Sequence, residues 1–249
     1  MAEVDLTETN RKHFDTVATT HKTNFSDLIN HTIQELRGRR HWISSRWTDT
    51  LASPDDEVRL LDYACGSGTV SKALAPYTTE TVGMDLSENM VETYNQTAVE
   101  MSLPLEKMKG YQFDLLSGYN PAETPEYLKQ GFDIIVIGMA LHHVSNPPLL
   151  LRKFKEILKQ GGAVIVLDMV PDQVPSLPAT ELEGLDAREV EVLKTIGKKG
   201  FTEDEMRGMY DDAGLGGGFE YVVIEEEFRF VLLGREISVG GFICRGGGF

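Results

Sequence analysis

Three aspartates end three short apolar runs, each where a turn begins: Asp62 after VRLL, Asp85 after TVGM and Asp114 after YQF. The first opens the turn Asp62-Tyr63-Ala64-Cys65-Gly66-Ser67-Gly68-Thr69, in which Gly66 and Gly68 permit a tight connection and close backbone approach to a ligand. The helix start that follows presents unpaired N–H groups and a dipole equivalent to about half a positive charge, so an electron-rich group belongs there. The bland alternative is a tight strand-to-helix connection with no ligand. A nicotinamide-binding turn would carry a third glycine three positions after Gly68, but Ser71 stands there. Asp62 would repel a pyrophosphate, yet it suits a cationic amino group. Asp85 follows the glycine turn by about twenty residues, the spacing at which a carboxylate accepts from both hydroxyls of a ribose. Its alternative role, capping the next helix, can be filled by Ser87. For Asp114 the alternative is an exposed turn aspartate. After the fourth apolar run, His142 and His143 form a titratable pair able to exchange protons near neutral pH, or else a pair of packed or capping rings.

DYACGSG resembles the first motif of class I S-adenosylmethionine-dependent methyltransferases, an acidic residue followed by spaced glycines, with Ala64 in place of the first glycine. GMDLSENM resembles the family's second motif. GMALHHVSNPPLLLRKFKEILKQGG resembles the corresponding segment of the ubiquinone- and menaquinone-biosynthesis type and its small-molecule relatives. The resemblance covers about residues 58–170 and continues loosely through GFTEDEMRGMYDDAGL. It implies S-adenosylmethionine as cofactor, with Asp62 serving its methionine ammonium, Asp85 its ribose, and Ala64, Gly66, Gly68, Leu86 and Met90 among the cofactor-binding residues. Asp114 would accept from the adenine amino group while Leu115 packs on the ring, and Gly138 and Met139 would contact the cofactor by position. The Leu-His-His segment would line the site beneath the sulfonium, making His143, with His142 as the alternative, the catalytic base on the acceptor side. HFDTVATTHKTN resembles the family's lid segment, in which an aromatic residue usually stands where this chain has His21.

These residues need elements to hold them at one place. VRLLDYA, ETVGMD, KGYQFDLL, FDIIVIG and AVIVLDM read as strands, with helices TVSKALAPY, SENMVETYNQTAVEMS capped by Ser87, and PPLLLRKFKEILKQGG between them. A helix EDEMRGMYDDAG capped by Thr202 leads to EYVVIEEEFRFVLL and EISVGGFIC, two strands with no room for a crossover helix and therefore antiparallel. Residues 8–50 read as helical. The expected fold is α/β: a doubly wound, mostly parallel seven-stranded sheet with an antiparallel final strand pair and an N-terminal helical lid. One domain over 1–249 is expected, with 1–50 as lid and 58–170 as cofactor-binding core. Ligands of such sheets bind beyond the carboxyl ends of the strands, so the turns after Asp62, Asp85, Asp114 and Gly138 should surround the site.

Composition narrows the partners. Lys plus Arg number 24 and Asp plus Glu 39, a net charge of −15 that repels phosphate backbones and anionic lipid. Nor does an Asn/Asp-Pro-Pro-aromatic segment follow the fourth strand, as it does in amino-methylating nucleic-acid enzymes of similar fold. A small-molecule acceptor is therefore expected, with neither nucleic acid nor membrane as partner; no feature indicates a protein partner. No run approaches the ~18 apolar residues of a membrane span and the N-terminus has no apolar signal core, so a cytoplasmic or nuclear address is expected. Cys65 and Cys244 are the only cysteines, expected as reduced, buried thiols. The expected reaction is methyl transfer to an O, S, N or C nucleophile. Rival readings are a regulatory protein on the same fold, a protein methyltransferase, and a nucleotide-dependent oxidoreductase that Ser71 disfavours. The acceptor would be set by residues 8–50 and 170–201, which carry no chemical signature.

Overall fold

The strands with continuous apolar runs become the middle of a sheet. In the computed structural model, which describes residues 5–50, 57–117, 125–171, 193–232 and 235–247, β1 (Arg59–Tyr63) is buried along its whole length. After the one-turn helix α6 (Glu126–Lys129), β4 (Phe132–Gly138) is buried up to its final glycine. With β2 (Glu80–Asp85), β3 (Met108–Gln112) and β5 (Leu158–Met169) they form a parallel array in the order β3-β2-β1-β4-β5. Successive side chains leave opposite faces, so a two-faced apolar run must be covered twice. Leu61, Ile135 and Ile137 pack with Phe154 of α7 (Pro147–Ile157) and Tyr210 of α8 (Glu203–Asp212). Leu60, Ile134 and Val136 pack instead with Leu36 of α2 (Ser26–Gly38) and Leu74 of α4 (Thr69–Leu74). The chain runs outward from β1 through β2 to β3, then crosses to β4, so strand order reverses between β1 and β4. That reversal opens a crevice at their carboxyl ends.

The antiparallel end is built from more pieces than the sequence predicts. EYVVIEEEFRFVLL divides into β6 (Gly217–Val223) and β7 (Phe228–Leu232), and EISVGGFIC into β8 (Arg235–Val239) and β9 (Gly241–Gly247). The acidic run Glu225-Glu226-Glu227 interrupts the first and Gly240 the second. β9 lies between β5 and β6, antiparallel to both, and completes the expected sheet of seven. β7 and β8 leave it as a separate hairpin, where the Phe228 ring lies 4.5 Å from His31 of α2. A second departure concerns α7, which stops before the glycines expected to end it. Leu158 already pairs with Phe132, and Lys159 Nζ lies 2.8 Å from Asp133, so β4 captures the chain first.

The N-terminal segment is helical in three parts: α1 (Leu6–Asn24), capped by Asp5, then α2, then α3 (Arg40–Ile43). Residues 44–50 leave the helical pattern, irregular through fully buried Trp47 and then turning over 48–50. α1 is fastened to the start of α5 (Glu88–Glu100) through Asp15, whose Oδ1 accepts from Ser87 Oγ at 2.6 Å and whose carbonyl accepts from Asn89 Nδ2 at 2.9 Å. Ser87 and Thr202 cap α5 and α8 as expected. Of the segments expected to set the acceptor, residues 172–192 lie outside the described residues, as do residues 1–4 of the lid. No described helix is long and apolar enough to cross a membrane, and both cysteines are free and buried.

Candidate active site

A cavity of about 620 Å³ lies beyond the carboxyl ends of β1 to β4, enclosed on its far side by α1, α2 and the β7–β8 hairpin. Its size is that of a small-molecule site. The chain leaves β1 and β4 through Ala64 and Met139, which hold φ of +54° and +53°. This left-handed conformation is rare for residues with a side chain, and here it occurs on both sides of the crevice. Gly66 has φ +49° and lines the cavity, and a Cβ built on it would meet no protein atom within 4 Å. The space beside it is thus a cradle that a side chain would fill. Gly68 faces elsewhere: a Cβ there would stand 3.3 Å from the Tyr94 ring and 3.4 Å from Met108, so this glycine serves packing against α5 and β3.

The three aspartates converge on the cavity, each with fixed partners. Asp62 is buried; its Oδ2 accepts from Ser71 N at 3.1 Å and Ser71 Oγ at 2.7 Å, and the Tyr94 hydroxyl lies 2.7 Å from Ser71 Oγ. Burial pushes its carboxyl up to about 8, with the Asp85 charge adding to the shift. Asp85 Oδ2 accepts from Gly66 N at 2.8 Å and Oδ1 from Ser87 N at 2.9 Å, so one side chain ties the glycine turn to the α5 start. Its carboxyl is pushed up to about 6 by burial, against the pull of those N–H groups. Each oxygen retains a lone pair. Asp114 Oδ1 accepts from Leu116 N at 2.8 Å and from the Tyr63 hydroxyl at 3.1 Å.

Ala64, Leu86, Met90, Gly138 and Met139 also line the cavity. Leu115 is fully buried in the core between sheet and helices, and Phe113 and Leu116 on either side line the cavity. His21 stands at the glycine turn, its Nδ1 3.4 Å from Ser67 Oγ and its ring 5.1 Å from Phe25. Burial, then the neighbouring His13, lowers its pKa to about 4, so at neutral pH an uncharged flat ring stands beside the glycine turn.

The two histidines stand with ring centroids 4.0 Å apart and have different partners. His142 is buried, with its backbone N–H donating to Asp168 Oδ2 at 3.2 Å and its Nδ1 2.8 Å from Asp168 Oδ1. A carboxylate partner requires the proton on Nδ1, leaving Nε2 as acceptor. His143 Nδ1 lies 2.8 Å from the Thr195 carbonyl, so it also carries its proton there. Burial, then His142, holds the His143 pKa well below its ordinary value. Sequence reasoning missed Asp168, although it stands one residue before the end of β5 as Asp62 does in β1, and that shared pattern was the available signal. It also missed Tyr63 as the residue bracing Asp114.

Known proteins share this arrangement of elements. A family model described as Methyltransferase domain matches residues 34–216. Over 113 residues the chain is 33% identical to an uncharacterised methyltransferase of Schizosaccharomyces pombe, which covers 45% of this chain and 39% of that one. Over 117 residues it is 30% identical to a ubiquinone biosynthesis O-methyltransferase of Caulobacter, covering 46% and 42%. It thus spans less than half the length of these curated relatives. A solved SAM-dependent methyltransferase from Anabaena variabilis has the same fold, with a TM-score of 0.63 at 17% identity over 99% of this chain and 96% of that one.

Proposed function

The chain belongs to the methyltransferase-domain family, and from that premise we propose that it transfers a methyl group from S-adenosylmethionine to a small-molecule nucleophile by in-line displacement. The observation that carries this reading is the meeting of Asp62, Asp85 and Asp114 with the Gly66 cradle on one cavity. Those residues fit S-adenosylmethionine. Asp85 has acceptor capacity for two ribose hydroxyls, Asp114 Oδ2 suits an adenine amino group, and Asp62 Oδ1 suits an ammonium. Leu86, Met90, Phe113 and Leu116 supply apolar surface between the polar points. Bound there, S-adenosylmethionine supplies an electrophilic methyl group on a sulfonium.

The protein's own work is orientation, exclusion of water and proton handling. Holding reactants in line can contribute effective molarities up to ~10⁵–10⁸ M, and a cavity walled by the strand ends on one side and by α1, α2 and the hairpin on the other supports that constraint. For an acceptor hydroxyl or thiol, His142 is the stronger candidate base: Asp168 fixes its tautomer and balances the charge it gains, leaving Nε2 to take the proton. His143, held neutral by burial beside it, orients the acceptor. This reverses the order that the sequence suggests for the pair.

Calorimetry with S-adenosylmethionine tests the assignment. Asp85→Ala removes an acceptor for two hydrogen bonds, each worth about 1.5–3 kcal/mol when the acceptor is charged, so affinity should fall at least tenfold. Unchanged affinity in a folded variant would remove the ribose role. Release of S-adenosylhomocysteine with a neutral acceptor separates an enzyme from a protein that merely binds the cosubstrate.

A further inference from the structure

The far half of the cavity has a chemistry of its own. Among the described residues that line it there is no lysine, arginine or glutamate, and its aspartates all belong to the ends of β1, β2 and β3. Opposite them the wall is apolar: Phe14 and Val17 of α1, Leu28 of α2, Phe230 and Ile237 of the hairpin, and Met139. Thr7, His13, His21 and Asn24 of α1 add polar groups to the same side, and two buried polar atoms stand apart from them. Thr32 Oγ1 and Asn10 Oδ1 are buried with no hydrogen-bond partner, in cavity-lining residues only 2% and 3% exposed.

Thr32 differs from five threonines of α1 and α5. Thr9, Thr16, Thr20, Thr93 and Thr97 all donate their hydroxyls to a carbonyl three or four residues earlier, the usual local solution. Thr32 makes no such bond. Asn10 is held by its amide nitrogen, which donates to the Leu6 and His143 carbonyls at 2.9 Å each, and this leaves Oδ1 bare beside the histidine segment. A buried polar atom without a partner calls for a ligand or another specific cause, because burial without a bond is unfavourable.

We propose that these atoms are the two anchors of the methyl acceptor, which is an uncharged and mostly apolar molecule. One O–H or N–H of the acceptor donates to Asn10 Oδ1, a second polar group bonds Thr32 Oγ1, and the body lies against the apolar wall. Among the described residues no lysine or arginine lines the cavity to meet an anionic acceptor, and beside S-adenosylhomocysteine no sulfonium does so either, so carboxylates and phosphates bind that complex poorly because of desolvation. The inference rests on the methyl-transfer reading above and adds the class of acceptor.

The probes are 4,4′-dihydroxybiphenyl, which has two neutral polar ends, 4-phenylphenol, which has one, and 4′-hydroxybiphenyl-4-carboxylate, in which one end is charged. Each is titrated by calorimetry into protein saturated with S-adenosylhomocysteine. The diol should bind at least tenfold more tightly than the carboxylate. Thr32→Val should bring the diol at least fivefold closer to 4-phenylphenol without changing S-adenosylhomocysteine affinity, and Thr32→Ser should restore it. The melting temperature of ligand-free Thr32→Val should also rise, because an unpaired hydroxyl is replaced by a methyl of similar shape. A fall in melting temperature, an anion that binds as tightly as the diol, or no binding of either neutral probe would overturn the proposal. Failure of the wild-type protein to bind S-adenosylhomocysteine would overturn the methyl-transfer reading instead.

Discussion

A proton on Asp62 stabilises the ligand-free fold and opposes the binding of a cation beside it. Its folded pKa of about 8 lies above the ordinary 3.8, so the folded state holds more protons between those values. The stability this carboxyl contributes is complete below about pH 4 and is lost as pH rises through 8. Asp62→Asn, always neutral, should therefore raise the melting temperature of ligand-free protein by a margin that grows from pH 6 to pH 8. The same variant should bind S-adenosylmethionine more weakly; scanning calorimetry across pH checks the first effect, and a margin that stays flat would mean an ordinary carboxylate. His142 is tested by rate. His142→Gln should lower turnover of a neutral hydroxyl acceptor by about 10²–10⁴ while leaving cosubstrate affinity unchanged, with a smaller loss for an acceptor already ionised. Equal losses with both acceptors would refute the base role. At this scale the chain exposes its strand-end carboxylates plainly, because an apolar run, an acid and a turn are neighbours in sequence. Asp168 shares that strand-end pattern, but its pairing with His142 was not legible, since it joins residues of separate elements.

Between elements, the fastening of α1 to α5 controls how the cavity is covered. Asp15 receives the Ser87 hydroxyl at 2.6 Å beside the positive end of α5, where a carboxylate is favoured twice over, by hydrogen bond and by dipole. Ser87 Oγ separately accepts from Met90 N at 3.0 Å, so α5 keeps its cap without Asp15. Asp15→Ala should accordingly free α1 alone. Amide exchange over residues 6–24 should quicken, and S-adenosylmethionine should dissociate about tenfold faster, a loss of roughly 1.4 kcal/mol, while exchange in the sheet is unchanged. Unaltered exchange in α1 would place the fastening elsewhere. The parallel strands and their helices were legible because buried runs, serine caps and alternating units are local signals. The β7–β8 hairpin was not, because its apolar residues continue those of the flanking strands and only the packing of Phe228 against α2 separates them.

Across the whole molecule, a net charge of −15 opposes the compact state through self-repulsion that salt screens. Raising ionic strength from about 0.02 M to 0.2 M should raise the melting temperature by a few degrees; a fall would mean that specific ion pairs outweigh the general field. The seven-stranded plan was readable from the succession of elements, but the seat of the last strand was not, because strand order depends on which edge remains unpaired. That seat has a consequence for how the protein is made. β9, the last strand described, lies between β5 and β6 and provides the only link between them in the sheet. As a ribosome delivers the chain, β1, β2 and β3 with Asp62, Asp85 and the nearby Asp114 emerge first, yet the edge of β5 stays bare until residues 241–247 arrive. During that interval the nascent sheet carries an exposed apolar edge, the kind of surface that chaperones hold and neighbouring chains capture. The sheet is therefore sealed, in the physical sense, by β9, and a chain cut before residue 241 would carry its three strand-end aspartates with the edge of β5 left open.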